Sequence, residues 1–148
     1  MTKKALTLAS LNVKRLRGGT TKPKDIKAWL TSLPTPLQIV LIQEHHLEKE
    51  DTQDYARGIE FWQGNSFWNE GIPMGRLQRT SAGMAILVDK ATAPLIIAHI
   101  TLIEGRAQFI TLQSLSNGTL TIINVYAPRS SNSGEGSIKP ISTLTTSS

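Results

Sequence analysis

The sequence predicts a layered α/β domain, and three observations carry that prediction. The apolar runs Leu6–Asn12, Ile39–Glu44 and Leu120–Tyr126 are of strand length and turn polar only at their carboxyl ends. A helical apolar stripe separates the first two, which makes a parallel strand–helix–strand unit. The Asn117-Gly118 pair is a hairpin signal between two later strands, so the sheet is mixed, with flanking helices.

The first strand is expected over residues 5–13, followed by a basic, glycine-containing loop from Lys14 to Thr21. Pro23 suits the first turn of a helix, whose stripe is Ile26, Trp29, Leu30 and Leu33. Pro34 and Pro36 end it. Ile39 to Gln43 is too short and too uniformly apolar for a helix and reads as a buried strand. Asp51 is expected to cap a short helix to Arg57, with Gly58 as its stop. A strand is expected over Ile59–Trp62 and a long loop over Gly64–Arg79. Further strands are expected over Ala82–Val88, Leu95–Leu102, Arg106–Leu115 and Thr119–Tyr126. After Pro128 ten of the last twenty residues are Ser or Thr, and the tail 129–148 reads as disordered.

At 148 residues the chain fits one domain able to bury a core. No run reaches the roughly 18 apolar residues of a membrane span, and no secretory leader is evident. The absence of cysteine excludes disulfides, zinc–thiolate sites and a cysteine nucleophile, which fits an intracellular location. The net charge of +5 suits an anionic partner but does not demand one.

Side chains alternate along a strand, so Ser10 and Asn12 share a face, as do Ile42 and Glu44, and Asn124 and Tyr126. Layered α/β proteins place ligand sites at strand carboxyl ends, so the three tips suggest one cleft. A carboxylate at a buried strand end is costly unless paired or bound to metal, and Glu44 is either a metal ligand or a capping, pairing group. Asn12 either orients that carboxylate or simply turns the chain, and Tyr126 either contacts a phosphate or packs as a strand residue. Adjacent His45 and His46 should point apart and are read as loop histidines; His99 reads as a core or surface histidine. Arg15 and Arg17 with Lys14, then Arg76 and Arg79, then Arg129 form basic patches suited to a phosphate backbone, or are ordinary solvated arginines. Trp62, Phe67 and Trp68 either stack on bases or cover the core.

Five segments in order resemble the endonuclease/exonuclease/phosphatase superfamily, nearest to the apurinic-endonuclease-like domain of non-LTR (LINE-type) retrotransposons. They are Ala9-Ser10-Leu11-Asn12-Val13, Ile39 to Glu44 with His46-Leu47, Ser81 to Val88, Gly105-Arg106, and Leu120 to Pro128. The resemblance covers about residues 5–129. It implies the N-terminal part of a four-layer α/β sandwich and Mg2+ (or Mn2+)-dependent phosphodiester cleavage, with DNA nicking as the ancestral activity and a nuclear location if the substrate is genomic DNA. It makes Glu44 the metal carboxylate, Asn12 its neighbour at the metal, and Tyr126 the contact to the scissile phosphate.

The sequence departs from the family pattern at Lys14, His45 and Arg129. It also lacks the family's downstream Gly-Asp-x-Asn and Ser-Asp-His segments, so this chain alone is expected to be inactive or nearly so. Two alternatives stand beside this reading. One is a superfamily phosphoesterase acting on phosphoinositide, sphingomyelin or RNA; the other is a non-catalytic nucleic-acid-binding fragment.

Overall fold

The computed structural model describes residues 6–16, 22–57, 62–74, 79–113, 118–127 and 141–147; side chains at 22, 56–57, 74, 79–80 and 141–147 lie outside that description. The expected parallel unit is present. Strand β1 (Leu8–Asn12) lies parallel to β2 (Ile39–Gln43), and helix α1 (Lys22–Ser32) connects them. Every residue of β2 is buried. A strand covered on both faces must be apolar throughout, which is why this run does not alternate.

The remaining elements are α2 (Lys49–Arg57), β3 (Gly64–Asn69), β4 (Ile72–Met74), β5 (Arg79–Ser81), β6 (Met84–Asp89), β7 (Ile96–Ile103), β8 (Ala107–Gln113), β9 (Thr119–Val125) and β10 (Ile141–Ser147). The first sheet has the order β1-β2-β6-β3 and is mixed, because β6 runs antiparallel to both β2 and β3. The second sheet has the order β10-β9-β8-β7 and is antiparallel throughout; β4 and β5 form a separate ribbon.

The first sheet separates two cores. Val40, Ile42, Ala85 and Leu87 pack beneath the helices with Ile26, Leu30, Tyr55, Trp62 and Trp68. Ile39, Leu41, Ile86 and Val88 pack against Ile110, Leu112 and Ile122 of the second sheet, with Phe67 at the margin. The architecture is therefore mixed α/β with two stacked sheets and helices on the first. Trp62, Phe67 and Trp68 belong to these cores, which favours the covering role over base stacking. Trp29, counted in the α1 stripe from its spacing, is instead 43 % exposed.

Three expectations of secondary structure change. The expected loop Gly64–Arg79 contains β3, β4 and the start of β5, because β6 offers β3 a full backbone ladder. Asp51 lies inside the first turn of α2, since that helix already begins at Lys49. In the tail read as disordered, Ile141–Ser147 forms β10 along the open edge of β9. Isoleucine and threonine suit a strand, and an unpaired edge is a template for one. The strand expected over Ile59–Trp62 lies outside the described residues except for Trp62, which is not in a strand.

The outer face of the second sheet is apolar. Cross-strand partners Ile100, Phe109 and Ile123 form a row there, and Ile97, Ile100, Leu102 and Ile103 of β7 are exposed. Large exposed apolar patches promote association. Replacing Ile97 and Ile103 together by threonine is expected to lower concentration-dependent light scattering while shifting Tm by less than about 2 °C. Unchanged scattering would contradict that role for the patch.

Candidate functional site

Asn12 ends β1, Glu44 follows β2 and Tyr126 follows β9, and the three side chains meet. The Asn12 amide donates from Nδ2 to Glu44 Oε2 at 2.6 Å. The Tyr126 hydroxyl donates to Glu44 Oε1 at 2.5 Å. Asn12 Oδ1 accepts from the Lys14 amide at 3.0 Å, which fixes the orientation of the side-chain amide. A carboxylate held by one donor on each oxygen is pinned in position yet keeps further lone pairs.

Strict alternation would turn Glu44 toward the helices with Val40 and Ile42. The backbone prevents this, because Glu44 has φ of 58° and His46 has φ of 56°. Left-handed conformations at non-glycine residues are unfavourable and persist only where the surroundings impose them. Here the Arg15 amide donates to the Glu44 carbonyl at 2.7 Å and the Leu16 amide to that of His45 at 2.9 Å. On the other side the His45 and His46 amides donate to the carbonyls of Gly83 and Ala82. Strapped between two loops, the chain twists after Gln43 and swings the carboxylate to the side where Asn12 and Tyr126 stand.

The floor of the site is a buried amide pair. Gln43 Nε2 donates to Ser10 Oγ at 2.9 Å and to Asn124 Oδ1 at 2.8 Å. Asn124 Nδ2 lies 3.1 Å from the carbonyls of both Ile42 and Ala85, so one side chain from the second sheet locks the ends of β2 and β6. Losing these bonds leaves buried polar groups without partners. Asn124→Ala is expected to cost about 2 kcal/mol in urea denaturation, with a correspondingly lower midpoint. A loss under about 0.5 kcal/mol would contradict this role.

The two histidines point apart, as expected, but neither is an ordinary loop residue. His45 is fully buried, and its ring stacks obliquely 5.4 Å from Trp68. Its Nδ1 accepts from the Leu47 amide at 2.9 Å, so the proton sits on Nε2, which is 2.8 Å from the Asn69 carbonyl. Burial lowers its pKa from 6.5 to about 4. Gly83, at φ of 88°, lets the ring in; a Cβ there would lie 2.4 Å from His45 Cε1. His46 instead reaches the site, with Nε2 4.0 Å from Glu44 Oε1. Sequence spacing gave no sign of this, because the left-handed turn at His46 directs it.

His99 packs its ring on Phe67 at 4.5 Å, with Nε2 3.0 Å from Gln108 Nε2, in keeping with a core histidine.

Of the basic candidates, Lys14 and Arg15 are among the described side chains, and their backbone amides bond Asn12 and Glu44. Arg15 is exposed and holds the Glu44 backbone through its own amide. Arg17, Arg76 and Arg129 lie outside the described residues, as does the side chain of Arg79. Arg106, by contrast, stands next to Tyr126 across the ladder, its carbonyl accepting the Tyr126 amide at 2.8 Å.

Tyr126 has its pKa raised from 10.0 to about 12, first by burial and then by the hydrogen bond and charge of Glu44, with Arg106 acting in the opposite direction. At neutral pH it is therefore a hydroxyl donor. Glu44 offers hard oxygen atoms, whereas Asn12 faces it with Nδ2 and turns its own oxygen to the Lys14 amide; among the described residues no group of three or more acids or histidines gathers as a metal cage. One carboxylate with hard oxygen neighbours fits Mg2+, which keeps most of its waters and commonly takes only one or two carboxylates. No protein-family model matches this chain, and no curated protein matches it.

Proposed function

We propose that Asn12, Glu44 and Tyr126 form the metal- and phosphate-binding part of a phosphodiesterase site of the retrotransposon endonuclease kind, as part of a four-layer sandwich. The observation that carries this reading is the Glu44 carboxylate held between the Asn12 amide and the Tyr126 hydroxyl at three strand ends. The order of sequence segments around these residues supports it. Glu44, with the Asn12 amide turned to present its oxygen, would hold Mg2+ (or Mn2+), which would supply charge neutralisation at a phosphoryl oxygen.

The chain's own residues do the rest. Asn12 holds Glu44 in one orientation. Tyr126, kept protonated by its surroundings, would supply a hydroxyl donor to a phosphate oxygen. Hydrolysis also needs an activated water and a stabilised leaving group. Among the described residues no group of three or more acids or histidines gathers around Glu44. Turnover by this chain is accordingly expected to be slight, and DNA association is the activity to seek.

Duplex oligonucleotide binding should be strengthened by Mg2+, and Glu44→Gln should remove at least about tenfold of that metal-dependent gain. Plasmid nicking should stay at the Glu44→Ala background. Equal binding by wild type and Glu44→Gln, with and without Mg2+, would sink the proposal. Robust nicking abolished in Glu44→Ala would instead overturn the expectation of slight turnover while supporting the site.

A further inference from the structure

We infer that Arg106 is the anion-binding residue of this site, placed to take a phosphoryl oxygen beside the Tyr126 hydroxyl. The inference rests on the phosphodiesterase reading for its substrate class, but its geometry stands apart from the metal.

The β8–β9 register pairs Gln108 with Asn124 and Ala107 with Val125. Asn124 points at the first sheet, where it meets Gln43 and the carbonyls of Ile42 and Ala85. Alternation turns Ala107 and Val125 outward, and the next pair, Arg106 and Tyr126, returns to the inner face. The ladder continues to that pair, because the Tyr126 amide donates to the Arg106 carbonyl at 2.8 Å. Side chains directly opposite each other on one face lie about 5 Å apart at Cβ. Arg106 is thus the cross-strand neighbour of the residue that grips Glu44.

The position is fixed by backbone. The Arg106 amide donates to the Ile103 carbonyl at 3.0 Å, closing a tight turn. Gly105, at φ of 72°, presses against this region, where a Cβ would lie 2.9 Å from the Glu70 carbonyl oxygen. Its carbonyl accepts the Gly83 amide at 3.0 Å, and Gly83 also carries the His45 strap. The turn of Arg106 and the loop of Glu44 are therefore joined through one residue.

One nitrogen of the Arg106 side chain is left without a partner. Arg106 Nε is buried and has no hydrogen-bond partner among the described residues. A guanidinium N–H out of contact with water and unpaired is costly, and an anionic oxygen is the acceptor that best offsets it. Arginine's planar fork suits phosphate in particular. Glu44 accepts from Asn12 and Tyr126 and receives no hydrogen bond from Arg106 Nε, so a ligand oxygen is the acceptor the inference assigns to it.

The test follows the Arg106 Nε–H resonance of the folded, 15N-labelled chain during titration with inorganic phosphate. A phosphodiester dinucleotide and an inositol bisphosphate form parallel arms that separate nucleic acid from lipid headgroup as the source of the phosphoryl group. The resonance is expected to move downfield with saturation in the phosphate arm and in at least one of the other two. Arg106→Gln should weaken phosphate binding about tenfold or more, and Arg106→Lys should retain an intermediate affinity.

A resonance that stays still in all three arms overturns the inference, even if Arg106→Gln fails to fold. So does unchanged phosphate affinity in a folded Arg106→Gln. Loss of phosphate binding in Arg106→Gln, with no Mg2+-dependent DNA binding in wild type, would uphold Arg106 and reject the metal site.

Discussion

Lowering the pH from 6.5 to 4 is expected to cost this fold on the order of 3 kcal/mol through His45 alone. The ring is buried and neutral, and its folded pKa is depressed from 6.5 to about 4. The unfolded chain therefore takes up the proton first as pH falls. His45 contributes its stabilisation fully above about 6.5 and loses it progressively as the pH falls through about 4. The hydrogen bonds explain why the proton is unwelcome beyond burial itself. Nδ1 already faces the Leu47 amide donor, so a second ring proton would set donor against donor.

Urea midpoints measured across this window should fall steeply in wild type and more gently in His45→Gln. Equal slopes would show that the histidine ionises freely. Gly83→Ala should lower stability at every pH, because the added Cβ would strike the buried ring and glycine's positive φ would be lost.

Replacing Glu44 by glutamine is expected to bring the Tyr126 pKa down from about 12 toward its ordinary 10.0. Removing the charge abolishes both the electrostatic penalty on the phenolate and the charge-assisted hydrogen bond. Burial remains, so the pKa should settle above the ordinary value. The sequence has two tyrosines, Tyr55 and Tyr126, and Tyr55 belongs to the core under α2. Ring-carbon resonances therefore report each separately. Because the folded pKa exceeds the unfolded one, Tyr126 adds stability below about pH 10 and loses it as pH rises through about 12. An unshifted Tyr126 in Glu44→Gln would mean that the hydroxyl–carboxylate contact does not persist in solution.

The apolar runs made β1, β2, β6, β8 and β9 legible, because strand burial imposes composition directly. The meeting of Asn12, Glu44 and Tyr126 was legible only as three polar strand ends. Alternation put Glu44 on the helix side, and only the left-handed backbone after Gln43 explains its turn. That conformation has no glycine to announce it. His46 reaches the carboxylate for the same reason. The role of Asn124 as a lock between sheets was hidden because a buried asparagine reads as a strand-end polar residue until its partners, 82 and 39 positions away, are known. Strand β3 was missed because Gly64-Asn65-Ser66 reads as turn, and pairing with β6 overrides that local preference.

We propose Glu44 as a cation site. Its most direct test is paramagnetic broadening by Mn2+ at neutral pH, read at the Asn12 side-chain amide and the Tyr126 ring. Substoichiometric Mn2+ should erase both signals in wild type and leave them sharp in Glu44→Gln. Signals that stay sharp in wild type, or broaden equally in both proteins, would contradict the claim.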